Sequence, residues 1–381
     1  MLAIIMLGFE DLEDFRKNIR FFCEKELKPL ASFYDMWEKF PEDSYRKIAE
    51  KGILSLGIPE EYGGTGDFFR ELVATEEIAR VDQNLSIQME IKSLFENTLI
   101  IHGNDRQKEI LRDLARGSII PAFAFTEPSG GTDVLGLKTE ARKENGRYVI
   151  NGMKMFITNA PIATHLIVFA RTGERISAFL AKKEGKGIRI GPRIKTTGTR
   201  GALISSIRFE NMELDEDSLI GIEGNGLKVF FDVMDRSRLV LSAGALGMMR
   251  RLYEESMRFS TERKSGNRQI YDYQYIQDHL VSMAMDIEIS SLLIYNAALL
   301  LKNGKQSSME SAMAKLYSSE ALKRNAIRAA EIMGGYGYIS GTPVDMIYRD
   351  AHATSLGLGS SEAMKITIFN YLKKFSGKGS I

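Results

Sequence analysis

The stretch Ala122-Phe123-Ala124-Phe125-Thr126-Glu127-Pro128-Ser129-Gly130-Gly131-Thr132-Asp133 decides how the chain divides. It opens as a short apolar strand, with Phe123 and Phe125 on one face by the two-residue period of a strand. Pro128, Gly130 and Gly131 then turn the chain out of the sheet. The product is an aromatic wall beside a glycine corner that carries two hydroxyls, Thr126 and Thr132. Such a corner offers bare backbone N–H groups to an anion or to the heteroatoms of a ring. Its place in the chain matters as much as its composition. Helical patterns precede it, strands follow it, and a second helical region comes after those.

On the N-terminal side, Phe15, Ile19, Phe22 and Glu26 form a helical row that Pro29 is expected to stop. Further helices are expected over Phe68–Arg80, Leu85–Ile101 and Asp105–Arg116. On the C-terminal side, Asn145-Gly146 between two alternating runs predicts a hairpin, and Asn151-Gly152 a second turn. Thr164–Arg171, Ile176–Lys182, Ile188–Ile190 and Ile204–Phe209 read as further strands. Beyond them the row Ile276, Leu280, Ala284, Ile287, Ser291, Ile294, Ala298, Leu301 keeps a three–four spacing over many turns, as a long bundle helix does. Long helices are also expected over Gly226–Thr261 and Met309–Met333, with a break at Gly334–Gly337 and a last helix from about Ser360. The segregated order predicts an α+β protein. Its parts are an N-terminal helical domain (1–118), a middle antiparallel β-domain (119–224) and a C-terminal four-helix bundle (225–381).

Bulk properties narrow the class. The 381 residues are 44% hydrophobic and 27% charged, an ordinary globular mix with length enough for a large core. Lys+Arg 51 against Asp+Glu 50 gives a net charge of +1, which makes no electrostatic case for nucleic acid or an anionic membrane. The single cysteine, Cys23, excludes an internal disulfide. The apolar start Met1–Leu7 lacks a basic region and a cleavage site, and no uninterrupted apolar run reaches membrane-spanning length. A cytoplasmic location is the expectation. His102, His165, His279 and His352 show no ligand spacing, so no metal site is expected. Gly334–Gly337 follows a helix and not a strand, so a Rossmann loop is not read there.

Several motifs in order then resemble the acyl-CoA dehydrogenase flavoprotein family. Thr126-Glu127-Pro128-Ser129-Gly130-Gly131-Thr132-Asp133 is similar to that family's T-E-P-x-x-G-S-D, and Asn151-Gly152-Met153-Lys154-Met155-Phe156-Ile157-Thr158-Asn159 to its N-G-x-K-x-W-I-T-N. Asp235-Arg236-Ser237-Arg238, Glu262-Arg263-Lys264-Ser265-Gly266 with Gln274, Gly334-Gly335-Tyr336-Gly337-Tyr338 and Arg349-Asp350-Ala351 follow. The resemblance implies FAD held between β-domain and bundle, in a homotetramer (a dimer of dimers) where a neighbour completes the cofactor site. It implies FAD contacts from Phe123, Phe125, Thr126, Gly131, Thr132, Phe156, Thr158, Arg263, Ser265, Gln274, Gly334, Gly335 and Ser360. For the acyl-CoA it implies Thr132, Asp235, Arg238, Leu358 and Gly359. Activity would be α,β-dehydrogenation of an acyl-CoA with hydride transfer to flavin N5, as in fatty acid metabolism, electrons leaving to an electron-transferring flavoprotein.

One departure bears on that chemistry. The family's usual base is a glutamate before the final helix, where this chain has Leu358 in Gly357-Leu358-Gly359-Ser360-Ser361-Glu362. The alternative base position, beside the arginine matched by Arg238, is Ser237. Leucine accepts no proton, yet its N–H remains for a thioester carbonyl. Glu362 is the candidate relocated base, and an acidic residue favoured by a helix N-terminus is the simpler reading of it. Gly266 stands for a common phenylalanine and Glu331 for a common glutamine, which would place negative charge near the pyrophosphate. The alternatives are a flavin-dependent monooxygenase or oxidase on this scaffold, and a catalytically impaired CoA- or flavin-binding homologue.

Overall fold

The computed structural model describes residues 10–376, so Met1–Leu7 and the tail beyond Ser376 lie outside the described residues. The N-terminal part comprises α1 (Glu10–Phe22), α2 (Lys28–Met36), α3 (Glu42–Glu50), α4 (Phe68–Ala79), α5 (Gln83–His102), α6 (Asp105–Lys108) and α7 (Ile110–Ala115). Pro29 does not stop the first helix. A π-turn, Cys23–Leu27, links α1 to α2 and leaves the proline in the first turn of α2, where its missing N–H costs no hydrogen bond. Asp67 caps α4 by accepting from Arg70 N, and Asp82 caps α5 by accepting from Leu85 N.

The middle part is a mixed sheet built from β1 (Pro121–Ala124), β2 (Glu140–Glu144), β3 (Arg147–Thr158), β4 (His165–Thr172), β5 (Arg175–Lys182), β6 (Ile188–Ile190), β7 (Ile204–Asp215) and β8 (Leu219–Ile220). Most neighbours are antiparallel, but β1 lies parallel to β4, with Phe123 opposite Ile167. Asn145-Gly146 makes the β2–β3 hairpin, Glu144 facing Arg147. The turn expected at Asn151-Gly152 does not form: β3 runs on opposite a bulge in β7, where Glu210 and Asn211 face the single Asn151 between the pairs Ile150–Met212 and Gly152–Phe209, and Gly152 takes φ +148°. A Cβ there would lie 2.6 Å from the Thr139 backbone, so glycine is required by both conformation and space.

The C-terminal part holds α8 (Gly226–Glu262), a two-strand ribbon β9 (Lys264–Ser265) and β10 (Arg268–Gln269), α9 (Gln274–Lys302), α10 (Ser308–Met333), α11 (Pro343–Leu356) and α12 (Ser361–Ser376). The sequence reading omitted α11, although Thr342 before Pro343 is a cap-plus-proline start and Thr342 accepts from Asp345 N. By length and composition α9 is apolar enough to cross a membrane. It packs here against α8 and α10. One core runs from α1 and α4 through α8 into α9, α10 and α11, and a second fills one face of the sheet.

Polar bonds lock the three parts together. Asn159 at the end of β3 donates to Gln88 Oε1 of α5 (2.7 Å) and to Pro121 O (3.0 Å). Asn84 Oδ1 accepts from Gly201 N (2.8 Å). Arg349 of α11 pairs with Asp35 of α2 at 2.6 Å. The Asn159 bonds fix the start of β1 against α5, beside which the candidate site forms.

Candidate cofactor and thioester site

The residues singled out in the sequence gather in three groups. The first is the corner after β1. Phe123 and Phe125 do share a face, but it is a packed one: Phe125 is 5% exposed, with its ring 4.1 Å from Phe230 and 5.1 Å from Phe169. It therefore backs the corner, and Phe123 is half-buried in the same cluster. The open aromatic ring is Phe156, 60% exposed and held at φ +57° in the left-handed region. Thr126 and Thr158 are half-buried; Gly131 and Thr132 are exposed. A Cβ at Gly130 would meet nothing within 4 Å, so the corner backbone is open to a ligand.

The corner's shape is set by a buried ion pair. Lys154, on the inward face of β3, donates to Phe125 O (2.9 Å) and Glu127 Oε1 (2.8 Å). Glu127 also accepts from Lys138 N and Thr139 N. Burial alone would raise the Glu127 carboxyl, but Lys154 and these donors reverse this and hold it below its ordinary value. Burial pushes the Lys154 ammonium down to about 8 against the pull of Glu127.

The second group lies between α8 and the turn before α12. Arg238 Nε donates to Leu358 O (3.3 Å). Asp235 accepts from Ser308 Oγ (2.6 Å) and lies 3.7 Å from Arg238. Burial raises Asp235 and lowers Arg238. Leu358 sits at φ +53°, and its side chain packs with Leu94, Val233 and Met234, beside Ile91, Phe123 and Phe230. Lys315 pins both flanks of the turn by donating to Ser355 O (3.2 Å) and Gly359 O (2.6 Å). The Leu358 and Gly359 N–H groups make no hydrogen bond to the chain among the described residues. Ser360 Oγ accepts from Ala363 N at the start of α12. Ser237 is buried with its hydroxyl 3.3 Å from that of Ser93. Glu362 is exposed in the first turn of α12, where its own backbone N–H and Ser360 hold its carboxyl low.

The third group is remote from the other two. Arg263, Lys264, Ser265, Met333, Gly334, Gly335 and Tyr336 line a cleft of ≈ 530 Å³. The Arg263 guanidinium lies 5.8 Å from the Tyr336 ring centre. Gly334 and Gly335 have open space where a Cβ would be. Gln274 is exposed at the first residue of α9. Glu331 lies 3.6 Å from His279 Nε2. Among the described residues no group of three His, Cys, Asp or Glu side chains is placed to hold a metal ion.

Two lysines shape the site, Lys154 and Lys315, and no motif in the sequence gives either of them this role. For Lys154 a signal existed. On β3 it continues the buried alternation of Tyr148 and Ile150, and a lysine on an apolar face must have partners.

Comparison with known proteins matches this architecture throughout. The acyl-CoA dehydrogenase N-terminal domain model matches residues 10–118, the middle domain model 122–212 and the C-terminal domain model 224–372. The chain belongs to the acyl-CoA dehydrogenase family, whose cofactor is FAD. It is 34% identical to an acyl-CoA dehydrogenase of Bacillus subtilis over 365 residues, 94% of this chain and 96% of that one. The solved butyryl-CoA dehydrogenase of Megasphaera elsdenii superposes with a TM-score of 0.92 at 30% identity, covering 94% and 97% of the two chains. The prolyl acyl carrier protein oxidase AnaB gives 0.92 at 31%, covering 95% and 99%. The residues present fit FAD. The open glycine corner with exposed Phe156 suits a flat ring, and the Arg263–Gly335 cleft suits a pyrophosphate.

Proposed function

We propose that the chain is an FAD-dependent oxidoreductase that dehydrogenates an acyl-CoA thioester between Cα and Cβ without a carboxylate at position 358. The observation that supports this is the turn beside Arg238. Arg238 and Lys315 hold the turn by its carbonyls, and the Leu358 N–H is left free to take a thioester carbonyl. FAD, when bound, supplies the hydride acceptor. Asp235 and Arg238 meet the thioester's polar arm, and the cluster of Leu94, Val233, Met234 and Leu358 excludes water from the acyl carbons. Glu362, ionised at the first turn of α12, is the carboxylate this reading offers for the α-proton.

A second copy of the chain completes the site in this reading. Along α8 the Arg263 cleft lies roughly 38 Å from Arg238, at 1.5 Å per residue, so the two half-sites of one chain face different ligands. Val281, Met285 and Leu292 leave an exposed apolar stripe on α9, as expected for a tetramer interface. An electron-transferring flavoprotein is the proposed electron acceptor.

Leu358 favours one other reading, flavin chemistry that needs no α-proton base, such as that of an oxidase or monooxygenase. One experiment distinguishes them. The purified flavoprotein is mixed anaerobically with a panel of saturated acyl-CoAs, and flavin absorbance is followed. Bleaching that Glu362→Gln abolishes supports dehydrogenation through Glu362. Bound thioesters that never bleach the flavin, with turnover only after reduction and oxygen, support the other reading. Leu358→Glu is expected to raise the bleaching rate at least tenfold. No gain with any bound thioester would refute the picture of an otherwise intact site.

A further inference from the structure

Lys154 has no exposed surface, and burying an ammonium group costs several kcal/mol unless it is fully paired. A structural anchor on that face of β3 needs no charge, since Tyr148 and Ile150 fill the same face. The charge is nevertheless held in one place. Glu127 is saturated, with Oε1 accepting from Thr139 N (3.0 Å) and Lys154, and Oε2 from Lys138 N (2.6 Å). A second Lys154 proton is directed at Phe125 O, 2.9 Å away.

That carbonyl belongs to the peptide unit joining Phe125 to Thr126. The other end of the unit, the Thr126 N–H, has no acceptor within the chain among the described residues. The Thr126 carbonyl is already taken by Met155 N (2.9 Å), which fixes the plane of the next peptide. A charge-assisted hydrogen bond to a carbonyl draws electrons toward it and makes the N–H of the same amide a stronger donor. The free N–H stands at the open glycine corner, where Gly131 lies against the Thr126 side chain.

We propose that Lys154 is a positioning residue that raises the reduction potential of the bound flavin, acting through the Phe125–Thr126 peptide. The inference rests on the FAD reading of the corner. The polarised Thr126 N–H favours a cofactor edge that gains negative charge on reduction, and Glu127 moderates the effect by balancing the lysine. Two substitutions therefore have opposite signs. Lys154→Met removes the positive end of the relay and lowers the potential. Glu127→Gln removes the group that keeps the buried lysine protonated, so it is compared with the unsubstituted flavoprotein at a pH of about 6, where Lys154 still carries its charge; there it leaves the lysine uncompensated and raises the potential.

The test uses the full-length flavoprotein. Released flavin is quantified first, then the potential is measured by equilibration with reference dyes. A tenfold change in the reduced-to-oxidised ratio is expected for each variant, about 30 mV for a two-electron couple, down for Lys154→Met and up for Glu127→Gln. Should Lys154→Met fail to fold, the sign of the Glu127→Gln shift decides. Equal potentials, or shifts of the same sign, overturn this inference while leaving the FAD reading intact. A wild-type protein without flavin overturns both.

Discussion

Replacing Glu90 with glutamine tests how a carboxyl is carried inside α5. Glu90 is 8% exposed, and its Oε1 makes no hydrogen bond among the described residues. Burial pushes its pKa from 4.5 to about 8, and Lys315 opposes this only in part. Below 4.5 the group is protonated in the folded and unfolded chain alike and has no differential effect. Between 4.5 and 8 the native state keeps a proton that the unfolded chain has released, so stability falls as pH rises. At roughly 1.4 kcal/mol per pH unit, the whole interval amounts to on the order of 5 kcal/mol per chain. Glutamine keeps the shape and does not titrate. Glu90→Gln is therefore expected to change stability little at pH 5 and to gain several kcal/mol at pH 8.5. Urea or thermal unfolding of the flavoprotein and the variant, at equal protein concentration across pH 5–8.5, measures this. A difference between the two that stays constant with pH, or that narrows as pH rises, would refute the reasoning.

Two further substitutions probe the charged centre of the N-terminal domain. Lys92 is fully buried and donates to Glu71 Oε1 and Glu96 Oε2, each at 2.7 Å. Lys92→Met leaves two buried carboxyls without a cation and should cost about 3–5 kcal/mol in urea unfolding; a smaller loss at pH 8 than at pH 5 would contradict this. Gly57→Ala brings a Cβ to within 2.5 Å of Glu71 Oε2 and 2.7 Å of Glu96 Oε1, so the melting temperature should fall by an amount corresponding to roughly 1–3 kcal/mol, with flavin content per folded chain unchanged.

The division into helices, sheet and helices was legible because each part keeps one hydrophobic period for many residues. The errors fell where a local signal had two physical outcomes. Pro29 breaks a helix only if its missing N–H is needed, and a π-turn removed that need. Asn-Gly turns the chain at 145–146 but not at 151–152, because β3 keeps pairing with β7 on both sides and the extra residue of the bulge lies in β7. The open corner after β1 could be read from its glycines and aromatic residues, yet strand periodicity could not say which side of the wall is packed. Phe230, eight residues before Arg238 on another element, decides that by covering Phe125. Leu358 was conspicuous as a missing carboxylate. Its conformation, its apolar neighbours and the two cations that hold its turn come from α5, α8 and α10, and only the folded chain brings them together.

The length of α8 has its own consequence. A single helix carries Asp235 and Arg238 near one end and terminates at Glu262, with Arg263 as its capping residue. It acts as a ruler between the Leu358 turn and the Arg263 cleft. Deleting one residue between them would shorten the ruler by only about 1.5 Å, but it would swing Arg263 by roughly 100° around the axis. The sequence between Arg238 and Arg263 can therefore vary in side chains while its residue count stays fixed by the spacing and relative orientation of the two clusters at its ends.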